Sequence, residues 1–252
     1  LKSGKSEITL KGKDVDQYPR LQEVGTSNPL VLETKLLKTL IAETAFAASQ
    51  QESRPILTGV HMVLANQEFK AVATDSHRMS QRKLRLEDST TEFDVDDIKT
   101  VEIYLSDSQV LFKSEHISFY TRMLEGTYPD TDRLLTNQFE TEVVFKTESL
   151  RHAMERAFLI SNATQNGTVR LEIEADKVSA HVNSPEVGKV NEELETLSQS
   201  GSDLTISFNP TYLIEALKAL KSESVTVRFI SPVRPFTLTP ADDAENFIQL
   251  IT

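Results

Sequence analysis

The sequence predicts an α+β chain built from a repeated unit of helices and antiparallel strand meanders. Ala42-Glu-Thr-Ala-Phe-Ala-Ala-Ser49 recurs as Met154-Glu-Arg-Ala-Phe-Leu-Ile-Ser161. Val60-His-Met-Val-Leu with Phe69-Lys-Ala-Val-Ala returns as Val169-Arg-Leu-Glu-Ile with Val178-Ser-Ala-His-Val. Apolar residues at helical spacing also alternate with short strand-like runs bounded by turn residues.

In chain order, Lys2-Ser3 with Ile8-Thr9 and Tyr18-Pro19 echoes Lys113-Ser114 with Ile117-Ser118 and Tyr128-Pro129. The first two dozen residues therefore read as the tail of a unit whose fuller copies follow. A short strand is expected at 29–32. A helix over 33–49 follows, with Leu36, Leu37, Leu40, Ile41, Ala45 and Ala48 on one stripe. Strands come at 58–65, 69–74 and 79–86, punctuated by turns such as Ala65-Asn-Gln, and then at 101–105, 109–113 and 116–124. The second unit opens at Thr141-Glu-Val-Val-Phe. Its first helix, 148–161, turns Leu150, Met154, Ala157 and Phe158 inward. Strands at 168–174 and 177–183 precede a polar, acidic stretch at 191–203 with no strand pattern. Strand 204–208 leads into a helix at 211–221 carrying Leu213, Ile214, Leu217 and Leu220, and strands 225–230, 234–239 and 246–251 end the unit. Asp242-Asp-Ala-Glu245 reads as a solvated loop. At the place of the second unit's last helix, the first has only Asp94-Val-Asp-Asp-Ile-Lys-Thr100. A helix is expected to be missing near 95–96, since a unit without it leaves an apolar sheet face uncovered.

The 252 residues fit two domains better than one. No apolar run is long enough for a membrane helix. Leu1-Lys-Ser-Gly-Lys-Ser-Glu is polar, lacks the apolar core of a signal peptide and has no initiator Met, so the chain reads as cut from something longer and cytoplasmic. With no cysteine, disulfides, thiolate zinc sites and Cys nucleophiles drop out together. A net charge of −11 argues against nucleic-acid binding unless the basic residues are sorted onto one surface.

Val72-Ala-Thr-Asp-Ser-His-Arg-Met-Ser80 is the densest concentration of chemistry. Thr74, Asp75 and Ser76 suit a strand end or turn by bonding nearby backbone. His77, Arg78 and Met79 add a titratable ring, a forked cation and a flexible apolar side chain. Asp75 and His77 invite a hydrolase reading, but no nucleophile elbow, phosphate loop or His-Glu-x-x-His motif accompanies them. The five histidines show no metal-ligand spacing. No enzyme, cofactor or metal is expected. On the helices, Lys35 and Lys38, Arg151 and Arg156, and Lys218 and Lys221 fall off the apolar stripes.

Thr58-Gly-Val-His-Met-Val-Leu with Ala73-Thr-Asp-Ser-His-Arg-Met, Leu124-Glu-Gly-Thr-Tyr-Pro-Asp, Phe208-Asn-Pro-Thr-Tyr212 and Ser231-Pro-Val-Arg-Pro-Phe236 resemble the bacterial sliding clamp family, the β subunit of DNA polymerase III. The likeness runs from Leu1 to Thr252 and is streptococcus-like. It implies clamp domains with two helices each on curved antiparallel sheets, and a ring of two subunits whose helices line a central hole. Residues 1–27 would be the tail of domain one, 28–140 domain two and 141–252 domain three. Most of domain one would be lacking, so a chain starting at Leu1 is expected to be monomeric.

The resemblance implies a processivity factor that encircles double-stranded DNA. It would tether the DNA polymerase III α subunit, the clamp loader and other clamp-motif proteins through a cleft between domains two and three. Positions matching that cleft are Leu57, Thr74, Ser76, His77, Arg78, Met79, Pro129, Arg133, Leu134, Asn209, Tyr212, Arg234, Phe236, Leu250 and Thr252. Apolar walls with a few polar fixers suit a short peptide. Two or three apolar anchors, less ordering costs, give micromolar binding, on the order of −8 kcal/mol. Gln51 and Arg54 match DNA-contacting positions, and the helix cations would add sequence-blind phosphate contacts. Leu159 and Ile160 match the hydrophobic face where the homodimer closes.

Overall fold

The computed structural model describes residues 1–17, 24–25, 27–86, 100–162 and 167–252. The expected gap near 95–96 and the Tyr18-Pro19 half of the N-terminal echo lie outside them.

The chain forms two compact units, one of residues 1–31 and 102–123, the other of 32–101 and 124–252. The first unit begins with a small hairpin of β1 (Lys2–Ser3) and β2 (Ser6–Glu7). It also holds most of a four-stranded antiparallel sheet. That sheet comprises β3 (Leu30–Glu33), β7 (Thr100–Leu105), β8 (Gln109–Ser114) and β9 (Ile117–Arg122), in that order. Val24, Tyr104 and Leu111 make its small core, with Tyr120 packed against them.

The second unit contains α1 (Thr34–Thr44), β4 (His61–Ala65), β5 (Glu68–Thr74) and β6 (Arg78–Arg85). β10 (Thr141–Lys146), α2 (Thr147–Ser161), β11 (Val169–Glu174), β12 (Lys177–Ser184) and β13 (Gly188–Leu194) follow. It ends with β14 (Thr196–Gly201), β15 (Leu204–Phe208), α3 (Pro210–Ala219), β16 (Ser224–Phe229), β17 (Phe236–Pro240) and β18 (Phe247–Ile251). Eight strands join in the order β14-β10-β16-β17-β18-β6-β5-β4, and four more in the order β13-β12-β11-β15. The strand order β3-β7-β8-β9 is thus repeated as β10-β16-β17-β18, the structural counterpart of the sequence repeat.

Local chemistry explains most boundaries. Asn66 and Gln67 both take positive φ, which turns the β4–β5 hairpin. α3 starts where Asn209 Oδ1 accepts the Thr211 N–H at 2.9 Å and Pro210 takes the first helical position. α1 ends earlier than its apolar stripe, passing into a 3-10 turn at Ala45–Ala47. Ile41 on that stripe is exposed, whereas Glu43 and Thr44 are buried beside it. In α2 and α3, Leu150, Met154, Ala157, Leu213, Ile214 and Leu217 are interior as expected, as is Leu220 just past the end of α3. Residues 191–203 depart from expectation, since β13 and β14 lie there. Both strands are largely exposed and polar, so no apolar alternation marks them. The 242–245 loop is anchored rather than merely solvated, because Asp243 pairs with Arg82 and accepts from Asn246 Nδ2 at 2.7 Å.

Candidate functional site

The turn between β5 and β6 is built by its own polar residues. Asp75 Oδ1 accepts the backbone N–H groups of His77 (2.9 Å) and Arg78 (3.0 Å). Thr74 Oγ1 donates to Arg78 O at 2.6 Å and accepts the Ser76 N–H at 3.1 Å. Ser76 sits at φ 79°, a strained conformation for a residue with a Cβ, held by these bonds. The turn therefore presents His77 outward and directs Arg78 inward along β6.

Arg78 organises the site. Its guanidinium reaches Asp75 Oδ2 at 3.1 Å, pairs with Glu215 on α3, and donates to Phe46 O at 2.8 Å. It lies 5.0 Å from the Tyr212 ring centroid and 5.5 Å from that of Phe46. The His77 ring is parallel to Tyr212 at 6.1 Å. Burial, with Asp75 next, raises the Tyr212 hydroxyl above its ordinary pKa. Both Asp75 oxygens are thus engaged by backbone and Arg78, while the His77 ring faces Tyr212. The Asp75–His77 hydrolase alternative lacks its carboxylate–imidazole pair.

The far end of the chain meets this turn. β18 pairs with β6 in antiparallel register, Met79 opposite Leu250 and Arg78 opposite Ile251. The Thr252 N–H and hydroxyl both donate to His77 O at 2.9 Å. Val72, Met79 and Leu250 form one buried cluster, against which Tyr128 and Leu135 pack. Thr74, Ser76, His77, Arg78, Met79, Tyr212, Leu250 and Thr252 are thereby brought together.

The remaining expected cleft residues divide. Leu134 is 51% exposed and Pro129, Arg133 and Arg234 are exposed, with Arg133 paired to Asp130 at 2.7 Å. Leu57 is buried at 5%, on a 3-10 turn. Asn209 commits its side-chain oxygen to the α3 cap. Phe236 departs from the expected wall. It is 1% exposed, between Phe208 and Phe229 at 5.1 and 5.3 Å, because its strand turns it into the C-terminal core.

The basic residues also divide. Lys35 and Lys38 are exposed on α1, with no ion-pair partner among the described residues. Arg151 is held by Glu148 and Glu155, Arg156 by Glu192, and Lys218 lies 3.6 Å from Glu155. Lys221 is exposed and acts electrostatically on buried Glu43. Arg54 Nη1 donates to Ser76 Oγ at 2.7 Å and its Nη2 to Gln51 Oε1 at 3.3 Å, so the pair expected at DNA is bonded to the Thr74–Arg78 turn. Of the expected dimer pair, Leu159 is 72% exposed, but Ile160 packs against the unit's own core.

Sequence reasoning missed Phe46, Glu215, and the Glu43–Arg82–Asp243 group. Arg82 Nε lies 3.3 Å from Glu43 Oε2, and its Nη1 pairs with Asp243. Only an acidic residue on a helical stripe, Glu43, signalled any of this locally. The other partners are distant in sequence.

A family model described as the DNA polymerase III beta subunit, C-terminal domain, matches residues 132–251, and one for the central domain matches residues 31–98. The beta sliding clamp of Streptococcus pneumoniae is 64% identical over all of this chain and 71% of its own length. That of Lactococcus lactis is 52% identical over the same shares. The crystal structure of the beta subunit from DNA polymerase of Streptococcus pyogenes has a TM-score of 0.91 and 72% identity, covering 100% of this chain and 72% of that one. The Bacillus subtilis DNA polymerase sliding clamp has a TM-score of 0.90 and 36% identity, covering 99% and 70%. The fold, the two matched domains and identities of this order over the whole chain leave one conclusion: the chain belongs to the β sliding clamp family, the β subunit of DNA polymerase III.

Proposed function

We propose that the chain is a non-enzymatic processivity clamp. It encircles duplex DNA as part of a homodimeric ring and tethers the DNA polymerase III α subunit, the clamp loader and other clamp-motif proteins at the β6–β18 junction. Family membership supports the clamp reading. One observation carries the peptide reading. The Thr74–Arg78 turn, Tyr212 and Thr252 converge, with Met79 and Leu250 beneath them. Leu134 and Arg234 are exposed and so open to a short partner.

The same reading places residues 28–140 in a second clamp domain and 141–252 in a third, with 1–27 the tail of a first, acting in the cytoplasm. The central-domain match, 31–98, falls inside 28–140, and the C-terminal-domain match, 132–251, begins before 141 and covers most of 141–252. Exposed Leu159 suits a ring-closing contact.

Fluorescence polarisation with a labelled clamp-motif peptide tests the cleft. Replacing His77 and Tyr212 together by Ala removes two exposed or half-buried rings and is expected to weaken binding by about tenfold or more. Unchanged affinity would overturn the assignment.

A further inference from the structure

Glu215 matches no expected site position, yet it completes the bonding of the Arg78 guanidinium. Arg78 Nε donates to Asp75 Oδ2 at 3.1 Å and its Nη2 to Phe46 O at 2.8 Å. Both acceptors precede Arg78 in the chain, one in its own turn and one in the 3-10 turn after α1. Among the described residues, only Nη1 reaches α3, where it donates to the Glu215 carboxylate. Glu215 stands three positions after Tyr212 on that helix, so the two side chains share a face.

This arrangement makes Glu215 the tie between Arg78 and the helix that carries Tyr212. The guanidinium lies 5.0 Å from the Tyr212 ring centroid and 5.5 Å from that of Phe46. A guanidinium is a rigid planar fork, so three bonds from three directions fix both its place and its plane. With the Glu215 bond gone, the plane can turn about the two that remain. A cation turned away from a ring attracts it less, and Tyr212 is then free to change rotamer. The His77 ring lies parallel to Tyr212 at 6.1 Å, so the setting of one ring bears on the other.

We propose that Glu215 is a positioning residue of the peptide site, drawing Arg78 against Tyr212 and so setting the ring beside which His77 lies, without itself touching the partner. This role rests on the reading of the β6–β18 junction as that site.

Two measurements on the intact chain test it. With the tyrosines fluorine-labelled, Tyr212→Phe identifies the Tyr212 resonance by fluorine NMR. Glu215→Gln is expected to move that resonance and leave those of the other tyrosines in place. In fluorescence polarisation, the same variant is expected to bind a labelled clamp-motif peptide about fivefold more weakly. In an Arg78→Ala background, Glu215→Gln is expected to add no further loss, because the group it acts through is gone. Arg78→Lys, which lacks the fork, serves if Arg78→Ala does not fold. Equal losses in both backgrounds would show that Glu215 meets the peptide directly and overturn the positioning role. So would unchanged affinity, or an unmoved Tyr212 resonance. A wild-type chain that binds no peptide would refute the site itself, and the resonance of the free chain would then decide the positioning alone.

Discussion

Burial holds the Glu43 carboxyl above the usual carboxylate range, against the opposing pull of Arg82 and Lys221 and with a smaller contribution from Asp243. An acid whose pKa is raised on folding binds its proton more tightly in the native state. Its contribution is fully present below its ordinary value of 4.5 and is lost as pH rises through the elevated one. Glu43→Gln stays neutral throughout, so the variant is expected to lack this falling component. Melting temperatures taken from pH 4.5 upward check it, and parallel profiles for the two proteins would refute it. Such a group has little local signature. Charged residues on a helical stripe are usually read as its edge, and only the arginine opposite makes Glu43 tolerable inside. Thr74, Asp75 and Ser76 were legible because their partners are their own neighbours. Glu215 was not, because nothing local ties it to Arg78.

Strands and helices were legible where burial imposes a period. Alternation located β15 to the residue, and helical stripes located α2 and α3 to within a few. β13 and β14 escaped because one polar strand looks much like a loop, and backbone pairing rather than side-chain burial fixes them. The end of β14 shows how such a strand is held. Gly201 has φ +104, and a Cβ there would lie 2.0 Å from Glu140 O and 2.7 Å from Thr141 Cα. Gly201→Ala cannot relieve this by moving a side chain, since both obstacles are backbone. It is expected to destabilise the protein by about 1–3 kcal/mol or more, seen as a lower urea midpoint. An unchanged midpoint would mean that β14 is not held by its β10 pairing.

Across the whole molecule, a net charge of −11 leaves DNA contact to the few cations that no carboxylate neutralises. Arg151 and Arg156 are clamped by glutamates, whereas Lys35 and Lys38 have no ion-pair partner among the described residues. Lys35→Ala with Lys38→Ala is therefore expected to shorten retention on nicked circular DNA, in the dimeric clamp, more than Arg151→Ala with Arg156→Ala. The salt slope should fall by roughly 2 for the lysine pair. Equal losses from nicked circles and linear DNA would argue against a ring altogether. The repeat made the architecture readable at this level, because a unit found twice needs solving once. Which cations remain unpaired was not readable, since it depends on glutamates that folding brings near, such as Glu192 beside Arg156.

The β6–β18 ladder is five residue pairs long, running from Arg82 opposite Phe247 to Arg78 opposite Ile251. Its hydrogen bonds lie across the strands. A load along the strand axis strains all five pairs at once, as in a lap joint. A load that peels the strands apart from the Arg78–Ile251 side meets the Thr252–His77 bonds first and then one pair at a time. The junction is accordingly stiff to sliding and yielding to peeling, and Thr252 is the first stitch.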